Sequence, residues 1–295
     1  MHYAITGSTG HTARPITEGL LKAGHTVTVI TSRAEQAPVI EAMGAKAAVG
    51  RVDDADFLTT AFAGADAAYL LIPGVPNPTD WRAAQNQIID QYIKAVTANE
   101  IQFVVLLSSI GADLGQGTGP VDGLYDAEQK LAAVPGLNSK FLRPSYFMYN
   151  LLGMAGMLKH MGSLGSNFGA DPVVLTHTDD IAAVALRELM NLDFTGHQVR
   201  YIASTEHTGA EIARILGTAV GKPDAQWLVF SDEQTKQALQ QAGLNEVMAQ
   251  GYMELGHALR TGSMQADFLA NRPPYGSHTL EQFAQHEFAA AYSAA

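Results

Sequence analysis

The chain has 295 residues, 47% of them hydrophobic and 16% charged, which supports a packed core and excludes a disordered tail or a coiled-coil rod. Its 18 Lys and Arg stand against 29 Asp and Glu, and a net charge of -11 opposes a phosphate backbone, so no direct nucleic-acid partner is expected. With no cysteine there are no disulfides, thiolate nucleophiles or cysteine metal sites.

Read in chain order, short β-rich runs alternate with helical patterns. The strand runs are Tyr3 to Thr6, Thr26 to Thr31, Lys46 to Val49, Ala67 to Ile72, Ile101 to Leu107 and Lys140 to Leu142. Such alternation implies βαβ units. The unbroken apolar run Phe103-Val104-Val105-Leu106-Leu107 implies parallel strands covered by helices on both faces. The expected fold class is therefore α/β, a doubly wound parallel Rossmann sheet with a smaller C-terminal α/β substrate region. Trp81, Ile88, Tyr92 and Val96 recur at helical spacing and predict an amphipathic helix between the fourth and fifth strands.

Near residue 150 the rhythm changes, with a glycine- and methionine-rich stretch over 151–164. The expected division is a dinucleotide-binding domain over 1–150 and a substrate-binding region over 151–295, of which about 177–203 packs back on the sheet. Thr178-Asp179-Asp180 reads as a helix start, with carboxylates at the positive helix end. Thr208 with Glu211 and Ser231 with Gln234 spell capping boxes, and Val199 to Ile202 reads as a strand. No apolar run approaches the ~18 residues of a membrane helix, and the chain enters its first strand at once, so no membrane partner and a cytoplasmic location are expected.

The segment richest in chemistry follows the first strand, Gly7-Ser8-Thr9-Gly10-His11-Thr12-Ala13. In a G-x-x-G-x-x-A turn the first glycine allows the tight bend, the second lets the backbone approach a pyrophosphate, and the small residue packs helix on strand. The N–H groups that open the following helix face the anion. Gly7, Ser8, Thr9, Gly10, His11 and Thr12 are thus candidate cofactor-binding residues. An NAD site of this type carries an acid at the end of the second strand, about 20 residues on. Here that strand ends Thr31-Ser32-Arg33, two hydroxyls and a guanidinium, a set suited to a 2′-phosphate. NADP(H) is expected in preference to NAD(H), with Arg33 as selector.

Four segments together resemble the NmrA-like group of atypical short-chain dehydrogenases: the glycine turn, Arg33, Ser108-Ser109 after the fifth strand, and Leu142-Arg143-Pro144-Ser145-Tyr146-Phe147-Met148-Tyr149-Asn150 after the sixth. The last is similar to that group's L-R-P-G-x-F-M-E-N segment, with Ser145 for glycine and Tyr149 for glutamate. Thr178-Asp179-Asp180-Ile181-Ala182 matches a further landmark. The resemblance implies a Rossmann domain, a smaller carboxy-terminal region and a ligand cleft between them. It also implies either an NADPH-dependent reductase of small quinone-like or carbonyl compounds or a non-catalytic redox sensor acting through a protein partner. An isomerase or epimerase with tightly held cofactor is a more remote alternative.

Short-chain dehydrogenases use Tyr-x-x-x-Lys, with the lysine one helical turn beyond the tyrosine. Here Tyr125 is followed four residues later by Gln129, and Lys130 falls one position late, about 100° round the helix. Aligning Glu128 with the group's helix glutamate puts Leu124 where a basic residue often sits. No proton donor is assigned; Tyr125, Ser109 and Asn150 are the catalytic candidates. Ligands bind at strand carboxyl ends in such sheets, so Ile72, Pro73 and Ser108 join the cofactor candidates, and Tyr146, Phe147 and Tyr149 the substrate pocket. His177 with Asp180 reads as a helix cap rather than a ligand pair. No metal is expected.

Overall fold

The computed structural model describes residues 1–295. The chain forms two compact units: residues 1–109, 123–143 and 181–200 make the first, and 110–122, 144–180 and 201–295 the second. The two have nearly equal lengths, because the chain passes between them several times rather than once near residue 150.

The first unit is built on β1 (His2–Ile5), α1 (Ala13–Lys22), β2 (Thr26–Thr31), α2 (Ala37–Ala42), β3 (Lys46–Val49), α3 (Ala55–Ala61), β4 (Ala67–Leu70), α4 (Trp81–Ala98), β5 (Phe103–Leu107), α5 (Asp122–Ala132) and β6 (Asn138–Pro144). These strands pair in parallel in the order β6-β5-β4-β1-β2-β3. A seventh strand, His197–Ile202, lies beside β6, with the Ser139 N–H on the Gly196 carbonyl at 2.8 Å. This is the Rossmann-type α/β sheet expected, with order reversal between β1 and β4.

Period-two geometry sends successive strand residues to opposite faces. Ala4, Ala68, Leu70, Val104 and Leu106 meet Leu58 and Phe62 of α3, Ile88, Tyr92 and Val96 of α4, and Ala127 and Leu131 of α5. Their neighbour Tyr3 turns the other way, and its hydroxyl donates to the Leu189 carbonyl at 3.0 Å. The predicted helix thus exists as α4, capped by Asp80, whose carboxylate accepts from the Ala83 N–H.

The first strand runs one residue earlier than expected (His2–Ile5) and the sixth is longer (Asn138–Pro144), and two further ends differ for local reasons. The fourth strand stops at Leu70, because the Leu71 N–H donates to Thr6 Oγ1 (2.7 Å) and Pro73 follows. The fifth starts at Phe103, because Glu100 turns left-handed (φ 54°) and the Ile101 N–H returns to the Val96 carbonyl at the end of α4.

The second unit contributes β7 (Tyr146–Phe147), α6 (Ala155–Met161), β8 (Ser163–Ser166), β9 (Val173–Thr176), the first turn of α7 (Thr178–Asn191), the end of β10 (His197–Ile202), β11 (Thr205–His207), α8 (Gly209–Ala219), β12 (Gln226–Val229), α9 (Asp232–Gln241), α10 (Glu246–Arg260) and short C-terminal helices. Its strands form a three-stranded sheet, β11-β9-β7, and a parallel pair, β12-β8. Both expected capping boxes are present, Thr208 with Glu211 on α8 and Ser231 with Gln234 on α9.

Candidate cofactor and substrate sites

In the first unit the chain leaves β1 through a turn that only glycine adopts cheaply at its first position, Gly7 at φ 102°. The Ser8 N–H donates to the Ile30 carbonyl (3.1 Å) and Ser8 Oγ to Thr31 Oγ1 (2.9 Å), so the loop is fastened to the end of β2. Thr9 Oγ1 donates to Gln36 Oε1 at 2.6 Å, a second tie to the same edge. Gly10 folds back onto the Gly7 carbonyl, 3.1 Å from its N–H, and a Cβ there would stand 3.0 Å from that oxygen. No side chain caps α1 and no acid occupies its first turn, so the positive helix end is uncompensated. A turn this tight around Gly10, closed by such a helix end, fits a dinucleotide pyrophosphate.

The remaining cofactor candidates fall into two groups. Arg33 is exposed and its guanidinium makes no ion pair; Ser32 is exposed beside it. Thr31, by contrast, is buried and committed to Ser8 and to the Arg33 N–H (3.2 Å), so only one of the two expected hydroxyls is open to a ligand. Thr12 is also buried, its hydroxyl accepting from the Tyr69 hydroxyl at 3.1 Å, while His11 is exposed. Ile72 and Pro73 are half-buried in the loop after β4, which Tyr92 steadies by donating its hydroxyl to the Leu71 carbonyl (2.8 Å). Burial pushes both phenols up, that of Tyr69 and that of Tyr92.

Ser108 is buried at the end of β5 and donates its hydroxyl to Glu128 Oε1 at 2.5 Å. Glu128 accepts Arg143 Nε at 3.0 Å and Nη2 at 2.6 Å, a buried pair joining α5 to the end of β6. Ser109 and Tyr125 are half-buried and make no hydrogen bond. Lys130 is bound to Asp90 Oδ1 at 2.7 Å, and Asp126 to Arg82, so the α5 lysine serves an ion pair on α4.

The second unit contains a half-open cavity of about 470 Å³. Of the three residues expected in a substrate pocket, Tyr146 lines it; Phe147 is half-buried in β7 and Tyr149 is exposed, and neither contributes to the wall. Asn150, four residues beyond Tyr146, does line it. Burial and the nearby Tyr252 push the Tyr146 phenol up, against a hydrogen bond with Asn150. Other walls come from α6, β8 and the residues after it, and from α9 and α10 through residues such as Leu239 and Leu255, which periodicity alone does not mark as functional.

His177 and Asp180 do not act as a pair. His177 Nδ1 accepts the Asp179 N–H at 3.1 Å and caps α7, and Nε2 meets Glu287 at 2.7 Å. Asp180 instead accepts from Ser204 Oγ (2.5 Å), the Ser277 N–H (3.2 Å) and His278 Nδ1 (2.8 Å). Burial would raise its pKa, but these bonds outweigh it and hold the carboxyl below the usual range. His177, Asp179 and His278 bring three ligand-type atoms within 4.8 Å of one another. The two imidazoles are stacked (4.3 Å, 11°), and both His177 nitrogens are engaged.

Residues 7–191 match the family model described as NAD(P)H-binding, and the chain belongs to that family. It is 28% identical over 293 residues, 99% of this chain and 98% of the relative, to an NAD(P)H azoreductase of Xenophilus azovorans. Its fold is similar to that of an NADPH-dependent quinone oxidoreductase of Escherichia coli solved with NADPH (TM-score 0.81, 22% identity, 97% of this chain and 99% of that one). It is also similar to that of a Citrobacter sp. triphenylmethane reductase solved with NADP(H) (TM-score 0.76, 19% identity, 98% and 99%). No helix is long and apolar enough to cross a membrane.

Proposed function

We propose that this member of the NAD(P)H-binding family is an NADPH-dependent reductase of a small organic acceptor. The observation that carries the reading is the end of β2: no carboxylate stands where a ribose 2′-hydroxyl would be bound, and the unpaired Arg33 guanidinium lies there instead. A 2′-phosphate would meet that guanidinium, and the pyrophosphate would meet the turn of Gly7 to Thr12 and the open end of α1. Relatives named for reduction of azo compounds, quinones and triphenylmethane dyes support an acceptor of conjugated type.

When bound, the cofactor supplies a hydride, two electrons with one proton, and a quinone becomes a quinol on taking one more proton. The chain's share is to hold and orient. Ser8 fastens the glycine turn to β2 and Thr9 to Gln36 just beyond it, and the Ser108–Glu128–Arg143 cluster locks the ends of β5 and β6. Because Gln129 stands in the lysine position and Lys130 is bound to Asp90, Tyr125 lacks the lysine of the dehydrogenase pattern, and the second proton comes from solvent.

The test pairs calorimetric titration of NADPH and NADH with oxidation of each against quinones, dyes and aldehydes. Tighter NADPH binding and turnover with a conjugated acceptor are the expected results. NADPH binding with no acceptor reduced would replace the reductase by a sensor that works through a protein partner.

A further inference from the structure

We propose that the cavity of the second unit binds the acceptor and admits only uncharged aromatic molecules of two or three rings, excluding those that bear a sulfonate or carboxylate. The proposal rests on the reductase reading for the word acceptor, but its binding claim stands on the cavity alone.

No lining residue is charged. The wall is aromatic and thioether-rich, with Tyr146, Phe168, Phe230 and Tyr252 beside Met154 and Met157. The first two rings lie 5.5 Å apart at 55°, and methionine packs adaptably on aromatic faces. At roughly 30 Å³ per water-sized unit, about 470 Å³ holds about 16 such units, the scale of a two- or three-ring compound.

The charged groups bonded to the lining residue Asn167 are already spent on one another. Asp232 accepts from Asn167 Nδ2 (2.9 Å), Arg260 Nη2 (2.9 Å) and His257 Nδ1 (2.7 Å), and Arg260 also donates to the Asn167 carbonyl (2.9 Å). Asn167 lines the cavity and presents an amide whose Nδ2 also bonds the Met253 carbonyl (2.8 Å). An anionic substituent entering here finds no cation to receive it and loses its hydration. An unpaired buried charge is among the costliest groups to bury. A neutral ring system loses nothing of the kind and finds a wall that is mostly apolar.

Binding is measurable without cofactor, because the Trp227 ring lies 5.0 Å from the lining ring of Phe168. The full chain, carrying Trp81→Phe so that Trp227 alone reports, is titrated with anthraquinone and with its monosulfonate in dilute and concentrated salt. The neutral compound should quench Trp227 and bind at least about a hundredfold tighter. That ratio should survive concentrated salt, which screens the net charge of -11 but not desolvation. Ala238→Trp, at an exposed rim position, should abolish neutral binding, and Leu239→Lys should raise sulfonate affinity by about tenfold or more.

Equal affinities for the pair, no binding of either, or unchanged affinity in Ala238→Trp would each overturn the assignment. If anthraquinone binds as described but no quinone is ever reduced, the reductase reading fails and the cavity assignment stands. If quinones are reduced with a KM that Ala238→Trp leaves unchanged, the reverse holds.

Discussion

Replacing Glu128 by Gln preserves side-chain size and removes one charge from the cluster that joins β5, α5 and β6. Arg143, 6% exposed, then faces an amide in place of the carboxylate that accepts its Nε–H and Nη2–H at 3.0 and 2.6 Å. Both side chains of the pair are buried, to 8% and 3% exposure, so water does not take over. Removing one partner of a buried pair costs about 3 to 5 kcal/mol, and the remaining amide oxygen still accepts one bond, which places the loss near 3 kcal/mol. For a unit of this length that lowers the melting temperature by roughly 6 to 12 °C. Calorimetry on the single variant and on Glu128→Gln with Arg143→Met checks the reasoning. The double variant should recover at least half of the loss, because apolar replacement of both partners is often neutral. A single variant within about 2 °C of the unmutated protein, or a double variant worse than the single, would refute it.

Gly10→Val should weaken NADPH binding by roughly a hundredfold or more, since two phosphate hydrogen bonds at about 1.5 kcal/mol each are lost to a filled cradle, and should modestly lower the melting temperature because its Cβ presses on the Gly7 carbonyl; unchanged affinity in calorimetry would count against the loop. Arg33→Ala should narrow the gap between NADPH and NADH by about 1 to 2 kcal/mol, the low end for a charged hydrogen bond because the guanidinium is exposed, and the gap should shrink with salt. Equal affinities in the unmutated protein would remove Arg33 as selector. Asp232 should stabilise the second unit above the ordinary aspartate value of 3.8. Burial raises its pKa, but Arg260, Asn167 and His257 together bring it down to about 2, so the contribution fades as pH falls from about 4 to about 2. Acid titration of Asp232→Asn should show a deficit at neutral pH that closes over that window.

The interior strand β5 was legible because burial on both faces demands an unbroken apolar run, Phe103 to Leu107, and β2 and β3 begin and end where their β-branched and turn residues place them, although β3 is a half-exposed edge strand. β8 was not, since Ser-Leu-Gly-Ser has no β-branched residue. It forms because Gly165 lies against the Leu228 backbone of β12, where any Cβ would overlap a carbonyl. The glycine turn and Arg33 were readable as local spacing. The pairing of Glu128 with Arg143 was not, because the partners lie fifteen positions apart on two different elements. The cavity had a faint signal. α9 is polar, yet Ala238, Leu239 and Ala242 share one face and none of its residues is buried, so that face was free to line something other than core.

The state of the proton supply decides which acceptors this site can serve. Hydride addition to an isolated aldehyde or ketone creates a strongly basic alkoxide, and a positioned acid typically contributes about 10² to 10⁴ to that step. Hydride addition to a quinone creates a delocalised, weakly basic phenolate that takes its proton from water afterwards. With Lys130 held by Asp90 at 2.7 Å and Gln129 in the lysine position, no lysine assists Tyr125 in the first kind of reaction. A quinone should therefore exceed an aldehyde of matched size in kcat/KM by roughly a hundredfold or more. Tyr125→Phe should change the quinone rate by less than about tenfold, a barrier difference of about 1.4 kcal/mol. Parallel assays of the two acceptors, with NADPH affinity measured beside them, separate chemistry from binding. Comparable rates for aldehyde and quinone, both falling about a thousandfold in Tyr125→Phe with NADPH affinity unchanged, would make Tyr125 the acid in spite of its neighbours.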